Sequence, residues 1–302
     1  MAITTRAFGR SSFGRQLRGI TNNMTKEKKI LIVKASGQKE PFSEEKLWKS
    51  LEKSGVQRAL IKEVVDHIRG ELKDGMKTTD IYRHAFSFLR KRHSLSAARY
   101  NLKRAIMELG PSGHPFEKLV GEILKTQGFS VEVGKTQKGF CVFHEIDVVA
   151  QKDNRRVMVE CKFHNQPGIK SDIKVALYVQ ARFEDIERQW EKSLEQNQKF
   201  NEVWLVTNTK LTSDAIKYAN CVKMKVIGWD YPLGESFQDL IEKSGLHPLT
   251  CLTTLSRFQK RQLLERGFIL CRDVGKDKNI LRSIGISESK VLQIIKEINQ
   301  LC

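Results

Sequence analysis

The chain has 302 residues, of which 40% are hydrophobic, so it is long enough to form two or three small domains with apolar cores. Its formal net charge of +18 favours an anionic partner such as nucleic acid or a nucleotide. The absence of any run of about 18 apolar residues excludes a predicted membrane span, and six widely spaced cysteines without a C-x-x-C pair favour reduced thiols in a cytoplasmic protein over a zinc site.

Residues 1–27 are predicted to form a basic disordered tail. The first 26 residues contain five Lys or Arg and no Asp or Glu. This composition would also fit a transit peptide or an arm that contacts nucleic acid, and Met24 offers an alternative start. Because the stretch lacks clear amphipathic periodicity, a tail or a misplaced start is favoured.

Residues 28–109 are predicted to form a small domain that begins with strands and continues as helices. The run from Ile30 to Lys34 has the composition of a strand, Ser36-Gly37 that of a turn, and a second short strand follows. Ser43 is a suitable N-cap for the first helix, because acidic residues occupy the next two positions, where the helix dipole favours them. Further helices are predicted over about 59–72, 76–91 and 96–109.

Three separated motifs in this segment resemble, in their order, the ATP-cone, a nucleotide-sensing domain at the front of ribonucleotide reductase large subunits and of their transcriptional repressors. The matching residues are Val33-Lys34, Gly37, Glu40-Pro41-Phe42, Lys46-Leu47, Lys77–Tyr82 (KTTDIY) and Ala98-Arg99-Tyr100. The resemblance implies that an adenine nucleotide, ATP or dATP, binds as a regulatory ligand. The residues that it would place around the nucleotide are Lys34, Glu40, Lys46, Thr78 and Tyr82.

The lysines of this motif would neutralise phosphate charge, and the turn before a helix would supply backbone N–H donors. The family usually carries Lys-Arg before its first turn, whereas Ala35 occupies the second of these positions here. The loss of one cation leaves the affinity for nucleotide open. Two alternatives remain: the lysines form a solvated helix face, or the domain is an interaction module without a ligand.

The second predicted domain, residues 110–232, begins at a Gly/Pro/Ser breaker. A helix with apolar residues at helical spacing starts at His114. Further on, the apolar runs Ile146–Ala150 and Val157–Cys161 flank a short polar tip, which is the pattern of a β-hairpin. A long helical run from about Asp172 to Gln198 and a strand–helix–strand unit follow, so a partly parallel α/β sheet is expected.

The hairpin carries two carboxylates and a lysine that are predicted to meet. Side chains alternate across a strand, so Glu160 and Lys162 share one face of the second strand. If the hairpin pairs in register, Asp147 of the first strand lies beside Glu160. Carboxylates are hard oxygen ligands suited to Mg²⁺ or Mn²⁺, and such an ion stabilises charge on a phosphoryl group. The same string also fits an ordinary solvated hairpin face with an ion pair.

These parts, in this order, resemble the core of PD-(D/E)XK nucleases, and specifically the Mrr-like restriction endonuclease family. The motifs are PFEKLVGEILKTQGFSVEV, EIDVVA, VMVECKFHNQ, and VWLVTN followed by AIKYANC and KVIGWD. The resemblance covers about residues 110–230 and implies metal-dependent hydrolysis of DNA. It assigns Asp147 and Glu160 to the metal and Lys162 to the attacking water. One departure is the sequence CVFHE at 141–145, where the family often has a glycine-rich run.

Two further roles follow from the same resemblance. Glu117 matches the family's first-helix glutamate, which assists the metal site, and Gln166 matches a polar residue that faces the substrate. Glu122 is a second candidate on the first helix, but five residues of separation rotate it well around the helix axis. Residues 111–232 carry 18 Lys or Arg against 16 Asp or Glu, so the nuclease hypothesis rests on the motif and not on charge.

Residues 233–302 are predicted to form a small helical module. The segments FQDLIEKSG and LSRFQKRQLLERGF and a run from Ser287 to Leu301 all read as helices. The run Arg257–Phe268, together with LRSIGISESKVLQIIKEI, loosely resembles paired helix-hairpin-helix elements, in which a turn offers N–H groups to a DNA phosphate. Because the usual glycine-x-glycine turn is missing, a packing or oligomerisation module fits equally well.

The sequence therefore predicts an α+β multi-domain protein. It would consist of a mostly helical ATP-cone with an N-terminal β-hairpin, an α/β restriction-endonuclease-like core with a mixed sheet, and a small helical C-terminal module. The leading hypothesis is a cytoplasmic, homo-oligomeric, Mg²⁺-dependent DNA endonuclease that is regulated by an adenine nucleotide. The alternative is a nucleotide-sensing regulator that binds DNA through an inactive nuclease fold.

Overall fold

The computed structural model of the chain describes residues 30–191 and 199–302. The tail expected over residues 1–27 and the last residues of the helical run expected to reach Gln198 lie outside the described residues. Across the described ranges, no helix combines the length and the apolar character that a membrane crossing requires.

The N-terminal part of the structure is a three-stranded sheet surrounded by helices. Strand β1 (Leu31–Val33) pairs antiparallel with β2 (Lys39–Pro41) and parallel with β3 (Met76–Lys77), which gives the order β2-β1-β3. The sequence predicted only the hairpin of β1 and β2, and the structure adds β3 as a third strand. The helices here are α1 (Glu44–Lys53), α2 (Arg58–Glu71), α3 (Thr78–Arg92), α4 (Ser94–Tyr100) and α5 (Leu102–Met107).

Local sequence explains most of these boundaries. The Ser43 hydroxyl accepts a hydrogen bond from the N–H of Lys46 and caps α1 as expected. Gly37 adopts a φ of +83° in the turn between β1 and β2, a conformation that glycine tolerates best. The single helix expected over 96–109 is interrupted at Asn101, which ends α4 and begins α5.

The central part of the structure is a mixed five-stranded sheet with flanking helices. Its elements are α6 (His114–Thr126), β4 (Ser130–Lys138), β5 (Phe143–Lys152), β6 (Arg155–Lys162), β7 (Lys170–Ser171), α7 (Ile173–Glu191), β8 (Glu202–Thr207), β9 (Lys210–Leu211), α8 (Ser213–Cys221) and β10 (Lys225–Ile227). The strand order of the sheet is β10-β8-β6-β5-β4. The pairs β4–β5 and β5–β6 are antiparallel, whereas β6–β8 and β8–β10 are parallel. Two short strands, β7 and β9, form a separate parallel pair.

Helices cover both faces of this sheet. Buried side chains of α6 pack on one face with Val148, Val157 and Val159. Ala176 and Val179 of α7, together with α8, pack on the other face. Parallel strands joined through helices require such double coverage, so the mixed sheet predicted from the strand–helix–strand unit is confirmed.

The C-terminal part is helical, as predicted, and shares its core with other parts of the chain. The buried side chains of α4, α5, α6 and this module form one continuous cluster. The break at 109/110 is therefore a turn in the chain but not a gap in the packing. The elements are α9 (Phe237–Ser244), a 3₁₀ turn (Leu249–Cys251), α10 (Arg257–Glu265), α11 (Cys271–Lys276), α12 (Lys278–Ser283) and α13 (Glu288–Leu301).

Polar contacts fix the position of the C-terminal module. Both carboxylate oxygens of buried Glu297 in α13 accept hydrogen bonds, from the backbone N–H and hydroxyl groups of Thr253 and Thr254. The hydroxyl of Thr250 donates to the backbone oxygen of Ala105 in α5 at 2.7 Å. This last bond joins the module to the segment that precedes the nuclease-like core.

Replacing Thr250 by valine should lower the free energy of unfolding by about 1–2 kcal/mol, because the side chain is 1% exposed and its hydrogen bond is lost without a change of shape. Urea denaturation followed by fluorescence would measure this. Thr136→Val is the matched control, since Thr136 is exposed on β4 and should change the free energy by less than about 0.5 kcal/mol. Equal stabilities of the two variants would contradict the assigned role of Thr250.

Candidate active site

The strands of the central hairpin separate at Asp147. The β5–β6 ladder runs from Lys152 paired with Arg155 to Val148 paired with Val159. One step further the register would place Asp147 opposite Glu160, but here the backbones part. The Asp147 Oδ2 atom accepts the N–H of Cys161 at 2.7 Å, and the carboxylate thus replaces a backbone partner.

Glu160, the second carboxylate of the site, is held by an arginine from α7. Arg182 Nη1 donates to Glu160 Oε2, and Nη2 donates to the backbone oxygen of Glu145. Arg182 is only 8% exposed, and its Cζ atom lies 5.3 Å from the centre of the Tyr178 ring. A guanidinium fixed at three points in this way sets the orientation of the Glu160 carboxylate.

Both carboxylates have raised pKa values. Burial, followed by the neighbouring charge of Glu160, raises the pKa of Asp147 to about 7. Burial also raises the pKa of Glu160, although Arg182 and Lys162 oppose that shift. A bound cation would stabilise the ionised form of Asp147 beside Glu160, and perturbed carboxylates of this kind cluster at functional sites.

The first-helix glutamate at this site is Glu117 and not Glu122. The charge of Glu117 adds a smaller upward contribution to the pKa values of both Asp147 and Glu160, so its carboxylate is near enough to act on both electrostatically. Glu122 instead pairs with Lys125 at 2.7 Å and with Arg272 at 2.6 Å. Helix α6 lies close to the sheet at Gly121, where a Cβ atom would stand 3.1 Å from Val131 Cγ1.

The remaining predicted residues of the nuclease site lie at the end of β6 and beyond. Lys162 is exposed at the last position of β6, and its charge reaches Glu160. Gln166 is exposed in the loop that follows and has no hydrogen-bond partner among the described residues. His164 bonds through Nε2 to Ser171 Oγ at 3.0 Å, as expected for a polar residue at a strand end.

The oxygen atoms that are left over fit a hard divalent cation. Hydrogen bonds and ion pairs among the described residues engage Asp147 Oδ2 and Glu160 Oε2, which leaves Oδ1 and Oε1 without partners. Within the described ranges, no three His, Cys, Asp or Glu side chains are grouped so that they could hold a metal by themselves. Two carboxylates fit Mg²⁺, which keeps several waters and takes its other oxygens from phosphate.

The residues predicted to surround a nucleotide fall into two groups. Lys34 and Lys46 both contact Glu40, at 2.6 and 3.2 Å, and these ion pairs lower the pKa of Glu40. Thr78 is the first residue of α3. The hydroxyl of Tyr82 donates to Asn101 Oδ1 at 2.6 Å, and this ring stacks on Tyr100. Tyr82 is therefore engaged with the α4–α5 segment.

Comparison with known proteins identifies two parts of the chain. Residues 110–232 match the Mrr catalytic model, described as a restriction endonuclease, and residues 247–302 match the model described as AF1548-like, C-terminal. An uncharacterized protein of Archaeoglobus fulgidus is 39% identical over 181 residues, which cover 59% of this chain and 97% of that relative. The chain belongs to the AF1548-like family. The first match also confirms the predicted restriction-endonuclease core.

Two solved structures resemble this AF1548-like chain. The crystal structure of AF1548, described as a protein of unknown function, is 37% identical with a TM-score of 0.51, and the match covers 63% of this chain and 98% of that one. The MspJI restriction endonuclease in complex with a 27-mer oligonucleotide is 12% identical with a TM-score of 0.32, covering 67% and 39%. Both family-model matches begin at or after residue 110, so the ATP-cone resemblance of residues 28–109 stays a prediction.

Two residues near the site of this AF1548-like protein were not predicted from the sequence. Arg182 lies on the buried stripe of α7, between Val179 and Ile186, and a charge on an apolar stripe is a signal that could have found it. Asp185 accepts hydrogen bonds from the N–H groups of Cys141 and Val142 and contacts His144 Nε2 at 2.8 Å. It thereby fixes the turn between β4 and β5, where the family often has glycines.

Proposed function

We propose that this AF1548-like protein is a divalent-metal-dependent DNA endonuclease that hydrolyses phosphodiester bonds where β5 and β6 separate. The observation that carries the proposal is the placement of two half-buried carboxylates, Asp147 and Glu160, on neighbouring strands beside the lysine at the end of β6. Each carboxylate has one oxygen without a partner among the described residues. The match of residues 110–232 to a restriction endonuclease model supports the same reaction class.

Each residue has a role that follows from its chemistry. Asp147 and Glu160 would hold Mg²⁺ or Mn²⁺, which, when bound, supplies positive charge to the phosphate and acidity to a coordinated water. The Lys162 ammonium would hold a phosphate oxygen or orient the attacking water, since it is exposed and close to Glu160. Glu117 would support the ion or its water from α6. Arg182 would keep Glu160 oriented, and Gln166 would reach the substrate from its loop.

We further propose that ATP or dATP binds near Lys34, Glu40, Lys46 and Thr78 and sets the activity of the nuclease. Two ammonium groups already converge on Glu40, so incoming phosphate could take over their charge. Because Tyr82 is engaged with Asn101 at 2.6 Å, a nucleotide that displaced it would act directly on α4 and α5. Titration calorimetry with ATP and dATP tests this proposal. If neither nucleotide releases or absorbs heat, the N-terminal domain is better described as an interaction module without a nucleotide ligand.

Supercoiled plasmid nicking tests the main proposal. Full-length protein should nick plasmid with Mg²⁺ or Mn²⁺ and stop when EDTA is added, and parallel reactions with ATP and dATP would reveal regulation.

One observation favours a second function: Arg182 already neutralises Glu160, as it would in a nuclease fold that no longer cuts. Tight binding of plasmid without nicking under every metal condition would support that DNA-binding regulator instead.

A further inference from the structure

A wide groove lies between the C-terminal module and the nuclease-like core. Its volume is about 830 Å³. The walls come from three parts of the chain: the turn that precedes α6, the loop that follows β6, and helix α10. Lining residues used below are Ser112, Pro115, Asn165, Arg257, Lys260 and Arg261.

One wall of the groove is basic. Arg257, Lys260 and Arg261 occupy positions i, i+3 and i+4 of α10, so they lie on one face of the helix. The side chain of Arg257 has no ion-pair or hydrogen-bond partner among the described residues. Arg261 stands 3.7 Å from Glu265, and its Cζ atom lies 5.7 Å from the ring of Phe258, which is 60% exposed.

The acidic residues of the groove balance part of this charge. Glu108 is paired with Arg104 at 3.1 Å, and Glu265 lies within reach of Arg261. Lys260 donates to the backbone oxygen of Thr250 at 2.6 Å and is held in place by it. Within the described ranges, Arg257 therefore presents an unpaired positive charge to whatever fills the groove, with the Arg261 guanidinium on the same face of α10.

Two lining segments of the groove lie close in the chain to residues of the candidate active site. Ser112 and Pro115 flank the start of α6, two to five residues before Glu117, and a Cβ at Gly113 would lie 3.2 Å from Glu117 Oε1. Asn165, on the other wall, follows Lys162 by three residues. A polyanion lying along the basic wall would therefore contact the segment that leads into Glu117 of α6 and the loop that follows Lys162 of β6.

We propose that α10 of the C-terminal module binds the phosphate backbone of the DNA duplex and aligns it with the active site. This inference rests on the proposed nuclease function, because the partner is taken to be the same DNA. The grouping of basic side chains on one face of α10 carries the inference, because the net charges of the core and of the module are both small. Guanidinium groups suit phosphate through paired N–H donors.

The test is equilibrium binding of a fluorescent 30-base-pair duplex to full-length protein in EDTA, measured by anisotropy over a range of NaCl concentrations. The double variant Arg257→Ala/Arg261→Ala should weaken binding by about tenfold or more at low salt. It should also reduce the magnitude of the slope of log K against log[NaCl], where K is the association constant, by about 2. Two phosphate contacts are lost, and each contributes about 0.9 to the slope. Arg257→Lys/Arg261→Lys should retain most of the slope, since it keeps both charges.

Arg83→Ala/Lys217→Ala is the matched control, since it removes two exposed charges that do not line the groove. Wild-type affinity and slope in the α10 alanine variant would overturn the inference, and so would an equal loss in the control. Thermal melting of each variant checks that its fold is intact. If binding depends on α10 but the protein never nicks plasmid, the nuclease proposal is wrong and the DNA-binding role of α10 stands. If the wild type nicks plasmid but Arg257→Ala/Arg261→Ala binds DNA as well as the wild type, the nuclease proposal stands and the role of α10 is wrong.

Discussion

Asp147→Asn and Lys162→Met should each reduce the rate of DNA cleavage by about a thousandfold or more. Asparagine removes the negative charge that would hold the metal ion, and methionine removes the ammonium that would hold the phosphate or the water. Charge stabilisation at a metal site contributes several kcal/mol, and each 1.36 kcal/mol changes a rate tenfold. Single-turnover cleavage of a labelled duplex with saturating enzyme and Mg²⁺ would measure the loss free of binding effects.

The hairpin itself supplies a matched control for the aspartate. Asp153, in the turn between β5 and β6, has a φ of +51°, which asparagine also tolerates, and its side chain is exposed. Asp153→Asn should therefore cleave at the wild-type rate. Lys217→Met, on the exposed face of α8, is the matched control for Lys162→Met and should also cleave at the wild-type rate. Cleavage by Asp147→Asn within tenfold of the wild type would remove the carboxylate pair from the mechanism.

The local part of this site could be predicted from the sequence because it depends on short-range rules. Alternation along a strand places Glu160 and Lys162 on one face, and a two-residue turn fixes the register that brings Asp147 opposite. The choice of Glu117 came instead from the resemblance to the Mrr-like family, and the angular separation on one helix only made Glu122 the second candidate. The statements about the strands need only the geometry of a single hairpin.

The rest of the site depends on contacts between residues that are distant in the chain. Arg182 reaches Glu160 only because α7 crosses from β6 to β8 over that face of the sheet, which no local pattern specifies. Strand β3 has two residues and exists because β1, more than 40 residues earlier, pairs with it. In the same way, the sequence predicted the helices α9 and α10, whereas it did not predict the groove beside α10.

Without metal, Asp147→Asn should make the protein more stable than the wild type, and this difference should grow as the pH is raised from 5 to 8. The pKa of Asp147 is raised to about 7 in the folded protein, chiefly by burial and then by Glu160, whereas an unfolded aspartate titrates near 3.9. Between these values the folded state binds the proton and the unfolded state does not, so the stability of the wild type falls as the pH rises through this window.

Asparagine does not titrate, and its Oδ1 atom can still accept the N–H of Cys161, so the variant escapes this loss. The gap in free energy of unfolding should therefore widen by about 2 kcal/mol between pH 5 and pH 8 in EDTA. Urea titrations at four pH values would measure it, with Asp153→Asn expected to follow the wild type throughout. Added Mg²⁺ should then stabilise the wild type at pH 8 and leave Asp147→Asn unchanged, because a ligand stabilises only the state that binds it. A gap that stays constant with pH would mean that the Asp147 carboxyl is not held in a low-dielectric site beside a second carboxylate, and the argument for a cation there would lose its electrostatic basis.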